Sequence, residues 1–317
     1  TENIDCELIK VPAAPSKGFH WPYYLCIPNE LKRSTILLVE PNNTGTASDD
    51  WAVHDAAALS LVKWRSDFAI RLDVPLLVPT FPRPFNPPAA IGLIYTHALD
   101  RASLVTDAVL PGGSIQRVDL QLIAMINDAL ERLAAKDFRV DPQVLMMGFS
   151  ASGAFTSRFT MLHPEIVRAA APGSPGGWPL APVATWWGAT PLRYPVGIAD
   201  LQSLTGQPVD LAAVRRVPQY IYVGDQDTND ALDRRGFPPD EEAVVCANLN
   251  CTPAPNLSTR WPVSEAMYAS AGIFNRFVVY PGVPHTITAE MFADLLRFFK
   301  RHKPAKAAPW IPLLLSD

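Results

Sequence analysis

Short apolar segments alternate with longer segments of mixed polarity along this chain, from about residue 36 towards its end. The run Ile36-Leu37-Leu38-Val39 is apolar throughout, which is typical of a strand buried on both faces of a sheet. After a polar loop, Asp49 or Asp50 can cap a helix that begins near Trp51. The same pattern predicts strands at 4–12, 22–28, 36–39, 74–78, 144–147, 167–171, 219–223 and 277–280. It predicts helices at 51–72, 118–136, 151–162, 264–271 and 289–301.

This alternation predicts an α/β fold, in which helices cover both faces of a mostly parallel central sheet. No segment resembles a linker, so residues 1–317 are interpreted as one domain. Residues 82–115 show little periodicity and many prolines, and we expect a long functional loop there. Residues 173–209 are rich in Gly, Pro and Trp and are a candidate lid or cap insertion.

Composition narrows the class of protein. Hydrophobic residues make up 48% of the chain and charged residues 18%, an ordinary globular balance that argues against disorder. The formal net charge of −4 gives no electrostatic footprint for nucleic acid or for an anionic membrane. No apolar run reaches the roughly 18 residues that a membrane-spanning helix needs. We therefore expect neither nucleic-acid binding nor a membrane span.

The four cysteines allow three disulfide pairings. We favour Cys6 with Cys26, which would join two early strands, and Cys246 with Cys251, which would close a tight loop. Four unrelated buried thiols are the alternative. Disulfides would indicate an oxidising compartment, so the expected location is secreted or periplasmic. The chain starts at Thr1 without Met, as a processed mature form would.

The strongest local signal is the sequence Met147-Gly148-Phe149-Ser150-Ala151-Ser152-Gly153, which follows a predicted strand and opens a predicted helix. A nucleophile elbow of the form G-x-S-x-G requires this context. Here Ser152 stands at the position of the second glycine, and Gly153 follows it. Ser150 is in register with Gly148 and is the favoured nucleophile, with Ser152 as the second candidate. The alternative is a strand-to-helix turn without catalysis.

A serine hydroxyl needs a base, and the chain order expected after such an elbow is Ser, then Asp or Glu, then His. Three of the six histidines follow Ser150. His163 ends the helix that the elbow opens, about 20 Å along its axis, and His302 lies in a basic helix end. His285 lies in the loop after the last predicted strand, where such a base belongs, so it is the candidate base.

The third member of the triad should follow the strand 219–223, where the loop carries Asp225, Asp227 and Asp230. We favour Asp227, because a short excursion past Gly224 lets its carboxylate turn towards the His285 loop. Asp225 is the second candidate. The carboxylate would fix the tautomer of the imidazole and stabilise the imidazolium.

Acyl transfer also needs hydrogen-bond donors for an oxyanion. One donor is expected to be the backbone N–H of Ala151, directly after the nucleophile. The other is expected from the loop after strand 36–39, where Asn43, Thr44 and Gly45 are the candidates. The alternative is a plain turn, since Asn-Asn-Thr-Gly is also common turn chemistry.

These motifs resemble those of the α/β-hydrolase superfamily over about residues 35–302. Within it, Gly148–Gly153 and the following helix resemble secreted polyhydroxyalkanoate depolymerases and feruloyl-esterase-like serine esterases. Oxidised polyvinyl alcohol hydrolases, which cleave β-diketones, are another similar group. The resemblance implies an α/β-hydrolase fold and a secreted carboxylic ester hydrolase that works through an acyl-enzyme. It implies no metal or organic cofactor, and a small-molecule or polymer ester as the partner.

Three aromatic residues are candidates for substrate contact: Tyr95 in the segment 82–115, and Trp178 and Trp186 in the segment 173–209. Packing within the core or the lid is the alternative interpretation for each of them.

Two other functions compete with ester hydrolysis. Carbon–carbon cleavage of a β-diketone would use the same triad; an acyltransferase or a peptidase ranks lower. From another class, the chain could be a non-catalytic binding protein on a hydrolase scaffold. Such proteins usually lose a triad member, whereas here each member has a candidate in the expected order.

Overall fold

Eight strands form one mixed β-sheet in the computed structural model, which describes residues 5–88, 92–251 and 256–304. The strands are Cys6–Val11 (β1), Tyr23–Pro28 (β2), Ser34–Val39 (β3), Leu76–Pro79 (β4), Arg139–Phe149 (β5), Val167–Gly173 (β6), Tyr220–Gly224 (β7) and Arg276–Tyr280 (β8). Their order across the sheet is β1-β2-β4-β3-β5-β6-β7-β8. β2 runs antiparallel to its neighbours β1 and β4, and all other neighbours are parallel. The predicted, mostly parallel sheet is confirmed.

Helices connect the strands. They are Trp51–Leu72 (α1), Arg101–Val105 (α2), Val118–Ala135 (α3), Ala151–Leu162 (α4), Leu201–Thr205 (α5), Leu211–Val214 (α6), Pro239–Leu249 (α7), Trp261–Ser270 (α8) and Ala289–His302 (α9). The cap of α1 is Asp50, whose side chain accepts a hydrogen bond from the N–H of Ala52. The sequence pattern predicted each of the long helices except α7.

Alternate side chains of β3 point to opposite faces of the sheet, and both faces are buried there. Leu37 and Val39 pack into one cluster, to which α3 and α4 contribute. Ile36 and Leu38 pack into a second cluster, to which Phe68 of α1 and several residues of α9 contribute. A continuous apolar strand is therefore buried on both sides, as its sequence predicts.

The segment 82–115 has more regular structure than expected. Its described part contains a 3₁₀ turn, Thr96–Ala98, followed by α2 and a short hairpin of Val109–Leu110 with Gly113–Ser114. The carboxylate of Asp100 caps α2 by accepting hydrogen bonds from the N–H and hydroxyl of Ser103. The expectation of an unstructured loop is corrected, because local capping orders elements too short to show periodicity; residues 89–91 lie outside the described part.

The segment 173–209 packs against the rest of the molecule. Thr185–Trp186 pairs with Thr190–Pro191, and α5 follows. Trp178, Leu192 and Val196 form a hydrophobic cluster with residues of α7 and α8. Its role as a lid stays a prediction.

Two disulfides are formed, Cys6–Cys26 and Cys246–Cys251. The first joins the antiparallel strands β1 and β2, with 5.6 Å between the Cα atoms. The second joins the last turn of α7 to the second residue beyond that helix. The favoured pairing is confirmed. Across the described ranges, none of the helices has the length and apolar character that crossing a bilayer requires.

Candidate active site

The turn between β5 and α4 has a strained backbone at Ser150, with φ of 62° and ψ of −123°. A residue other than glycine in such a region costs roughly 1–3 kcal/mol, and strain of this kind concentrates at functional sites. The turn is also crowded. A Cβ on Gly148 would lie 2.3 Å from the carbonyl oxygen of Ser152, and one on Gly153 would lie 2.1 Å from that of Gly173. Both glycines are therefore required by this turn.

Ser152 closes the turn instead of facing solvent. Its hydroxyl donates to the carbonyl oxygen of Phe149 at 2.9 Å, while the N–H of Phe149 lies 3.0 Å from the same Oγ. The side chain is buried. Ser150, in contrast, lines a cleft of about 720 Å³ at the carboxyl ends of the strands. Of the two candidate nucleophiles, only Ser150 is placed where a substrate can reach it.

His285 lines the same cleft and is held by Asp227. Nδ1 of the ring donates to Oδ2 of Asp227 at 2.8 Å. Asp227 is fully buried and also accepts a hydrogen bond from the N–H of Asn229 at 2.9 Å. Burial raises the pKa of the Asp227 carboxyl, but the hydrogen bonds from His285 and Asn229 outweigh it, so the pKa lies below its usual value. The carboxylate is thus ionised beside the imidazole.

The other two aspartates of this loop have different partners. Asp225 accepts a hydrogen bond from the N–H of Gly282 at 2.7 Å, which ties together the loops that follow β7 and β8. Asp230 forms a two-point ion pair with the buried Arg260. The structure therefore brings only Asp227 to His285.

The second ring nitrogen of His285 is also engaged. Because Nδ1 carries the proton that Asp227 accepts, Nε2 is an acceptor, and Nδ2 of Asn229 donates to it at 2.8 Å. The ring of Phe149 packs against the imidazole, with 4.9 Å between ring centres. Asn229 was not among the site residues predicted from the sequence. Its position two residues after Asp227 was the available signal.

The loop after β3 lies beside the elbow because the strand order of the sheet reverses between β3 and β5. The chain leaves β3 towards β4 on one side and leaves β5 towards β6 on the other, so a crevice opens between the two loops. Asn43, Gly45 and Ala151 all line the cleft. Thr44 does not, and its N–H donates to Nδ1 of His97 at 3.4 Å. The expectation for Thr44 as an oxyanion donor is therefore corrected.

A network of buried polar groups holds the loop after β3 in place. Nε2 of His97 donates to the carbonyl oxygen of Phe81 at 2.7 Å. The side-chain amide of Asn42 bonds both the N–H and the carbonyl oxygen of Phe81, and the hydroxyl of Thr44 lies 2.8 Å from Nδ1 of His54. Burial lowers the pKa of His97 to about 3, so this imidazole is neutral. The network fixes the backbone around Asn43.

Of the three aromatic residues expected at the site, the structure brings only Tyr95 to the cleft. Trp178 is buried in the cluster with α7 and α8, where its indole N–H donates to the carbonyl oxygen of Val196 at 2.8 Å. Trp186 packs against the same cluster. The expectation that these two tryptophans contact substrate is corrected. The cleft walls carry charge instead, from Arg83, Arg158, Arg235, Asp100 and Asp233.

No family model matches the sequence, and a comparison with curated proteins finds no match. Solved structures do match. The chain is similar to poly(aspartic acid) hydrolase-1 from Sphingomonas sp. KT-1, with 16% identity and a TM-score of 0.55 over 93% of this chain and 97% of that one. It is also similar to a cold-adapted esterase from an Arctic intertidal metagenomic library, with 12% identity and a TM-score of 0.48 over 95% and 96%. With the observed strand order, the first of these similarities shows that the chain has the α/β-hydrolase fold.

Proposed function

We propose that this protein is a secreted serine hydrolase that cleaves carboxylic esters through an acyl-enzyme. The observation that carries the proposal is the arrangement of three side chains from three loops. Ser150 sits on a strained turn in the cleft, His285 lines the same cleft, and Asp227 holds Nδ1 of His285. That arrangement supplies a nucleophile, a base and a carboxylate that fixes the tautomer of the base.

In the proposed reaction, Nε2 of His285 takes the proton of the Ser150 hydroxyl as Oγ attacks the ester carbonyl carbon. Asp227 stabilises the imidazolium that forms. Ala151 and Asn43 line the cleft with Ser150, and in this proposal their backbone N–H groups donate to the oxyanion. The intermediate then collapses, and His285 returns the proton to the leaving alcohol. Water, activated by the same imidazole, hydrolyses the acyl-enzyme and frees Ser150.

Secretion is part of the proposal. The two disulfides, with sequence separations of 20 and 5, occur in a chain that has a large apolar core. Disulfides form and persist in oxidising compartments and are rare in the cytosol. A chain of this size does not need them merely to fold, so their presence supports an extracellular or periplasmic location.

Labelling with a fluorophosphonate probe tests the nucleophile. Folded protein should be labelled at Ser150, and Ser150→Ala should abolish labelling. Ser152→Ala is the matched control: it removes a hydroxyl from the same turn, and the label should still reach Ser150. No labelling of the folded wild-type protein would support a non-catalytic binding protein instead.

A substrate panel then separates the enzymatic alternatives. We expect 4-nitrophenyl esters to release a burst of nitrophenol equal to the enzyme concentration, followed by slower turnover, as acylation precedes hydrolysis. Hydroxyalkanoate oligomers and a β-diketone complete the panel. Turnover of the β-diketone with no turnover of any ester would replace ester hydrolysis by carbon–carbon cleavage with the same triad.

A further inference from the structure

Arg158 is a buried cation that forms no ion pair with any carboxylate of the described residues. Its side chain lines the catalytic cleft, yet the residue is only 4% exposed. Nη1 donates to the carbonyl oxygen of Ala98 at 2.7 Å, and Nε is buried without any hydrogen-bond partner. Burial of a charge is unfavourable unless an opposite charge and hydrogen bonds compensate it. An anion that entered the cleft could compensate the buried charge of this guanidinium.

The acidic residues in the cleft form no ion pair with Arg158, although its charge contributes to a lowered pKa of the Asp233 carboxyl, to which Arg235 contributes more. Asp100 and Asp233 both bond Nη2 of Arg235, at 2.6 and 2.7 Å, and Asp233 accepts a second hydrogen bond from Nε of the same arginine. Among the described residues, the guanidinium of Arg83 donates only to the carbonyl oxygen of Gly45, and it lies 3.6 Å from the centre of the Tyr95 ring. Three arginines against two paired aspartates leave the cleft beside Ser150 with surplus positive charge.

The position of Arg158 relates it to the nucleophile. Ala154 and Arg158 are four residues apart on one face of α4, and Ser150, four residues before Ala154, is the N-cap of that helix. All three line the cleft. The Cα atoms of Ser150 and Arg158 are about 12 Å apart along the helix. A helical side chain leans towards the N-terminus of its helix. In accord with this, the guanidinium bonds the carbonyl oxygen of Ala98, which packs with Ala154 and Ala151 beside the nucleophile.

We propose that Arg158 binds a carboxylate of the substrate, so that the enzyme prefers esters that carry a free carboxylate within several bonds of the scissile carbonyl. This proposal rests on the proposed hydrolase function and names the substrate class of the same site. Arg83 lies on the same cleft and adds positive potential to it. Ala154 forms an uncharged floor between nucleophile and guanidinium, where a short aliphatic chain fits.

Matched pairs of esters test this preference. 4-Nitrophenyl hydrogen adipate and its methyl ester differ in charge on the acyl side. 4-Acetoxybenzoate and its methyl ester differ in charge on the leaving-group side. For the side that faces Arg158, we expect wild-type kcat/KM to favour the anionic ester by about ten-fold or more, the effect of one charge-assisted hydrogen bond. No preference for the anion in either pair overturns the proposal.

Variants assign the preference to Arg158. Arg158→Gln should reduce the ratio of the two kcat/KM values about ten-fold, and Arg158→Lys should retain part of it. The ratio is insensitive to partial unfolding, because misfolded enzyme is lost equally for both esters. Arg216→Gln removes the same charge from an exposed position outside the cleft and should leave the ratio unchanged. A ratio that persists in Arg158→Gln overturns the proposal.

Labelling and ester hydrolysis together distinguish a failure of the role of Arg158 from a failure of the hydrolase function. If Ser150 is labelled by the fluorophosphonate and the neutral esters are hydrolysed without any charge preference, the role of Arg158 fails and the hydrolase function stands. If no ester of either charge is cleaved and no label is incorporated, the hydrolase function itself fails.

Discussion

Nδ2 of Asn229 lies 2.8 Å from Nε2 of His285. The proposed reaction needs this nitrogen to accept the proton of Ser150, so the amide and the hydroxyl compete for one lone pair. The side chain of Asn229 is exposed, and its own backbone N–H donates to the carboxylate of Asp227. The amide can therefore leave without disturbing the pair of His285 and Asp227.

Removal of this competing hydrogen bond should activate the enzyme. We expect Asn229→Ala to raise the second-order rate constant of fluorophosphonate labelling by about 2–10-fold, because a net hydrogen bond contributes roughly 0.5–1.5 kcal/mol. Asn229→Asp, which places a second carboxylate near the ring, serves as a comparison for charge. Slower labelling of Asn229→Ala would show instead that the amide orients the imidazole for attack.

Asp227→Asn should lower kcat for 4-nitrophenyl butyrate by about 10⁴-fold, because an amide at this position favours the wrong tautomer of the imidazole. The matched control is Asp225→Asn, two residues away, whose carboxylate bonds Gly282 instead of His285. It should keep kcat within about ten-fold. Equal losses in both variants would mean that the loop, and not the carboxylate at His285, limits the rate.

The stability of the protein should depend on pH through His97. Its pKa is about 3 in the folded protein and 6.5 as a free side chain, so the unfolded state binds the extra proton. The stabilisation is complete above about pH 6.5 and is lost as the pH falls towards 3. At roughly 1.4 kcal/mol per pKa unit, the free energy of unfolding should fall by about 3 kcal/mol from this residue alone between pH 7 and pH 4.

Urea unfolding of His97→Gln at several pH values measures this contribution. The variant should be less stable than the wild type at pH 7, since it disturbs the bonds to Phe81 and Thr44. The difference between the two proteins should shrink as the solution is acidified. Parallel curves for the two proteins from pH 7 to pH 4 would contradict the shift in the pKa of His97.

The buried ion pair of Glu40 and Arg65 joins the end of β3 to α1, with hydrogen bonds of 2.6 and 3.0 Å. Arg65→Met should lower the free energy of unfolding by about 3–5 kcal/mol, because it leaves a carboxylate buried without its partner. Adding Glu40→Leu should recover much of that loss. If Arg65→Met alone unfolds at a urea midpoint close to the wild-type value, water must solvate the Glu40 carboxylate that the substitution leaves unpaired.

The sequence predicted those parts of the fold that depend on local pattern. Asp50 and the polar loop before it define the start of α1, and Ile36–Val39 is apolar on both faces of the sheet. Helix α7 escaped prediction because only Val245 and Leu249 are buried on it, so its apolar pattern is weak. The first half of β5 escaped for the same reason, since polar side chains interrupt its apolar run.

The site was predictable where one chain segment suffices and not where distant segments meet. Sequence register favoured Ser150 over Ser152, in accord with the geometry of the turn. The loop after β8 bonds both Asp225 and Asp227, and the choice between them depends on which carboxylate the imidazole of His285 meets. The burial of Arg158 depends on residues some sixty positions earlier. Such relations arise from tertiary packing, which no local pattern contains.

The elbow of this protein shows what the glycines of the G-x-S-x-G pentapeptide represent. The backbone needs two positions without a Cβ, and here these are Gly148 and Gly153, while Ser152 fits because its hydroxyl bonds Phe149. A strict pentapeptide search passes over such a chain. Extending the pattern to Gly-x-Ser-x-Ser-Gly would recover sequences in which a hydroxyl replaces one glycine and the next residue takes over the steric requirement.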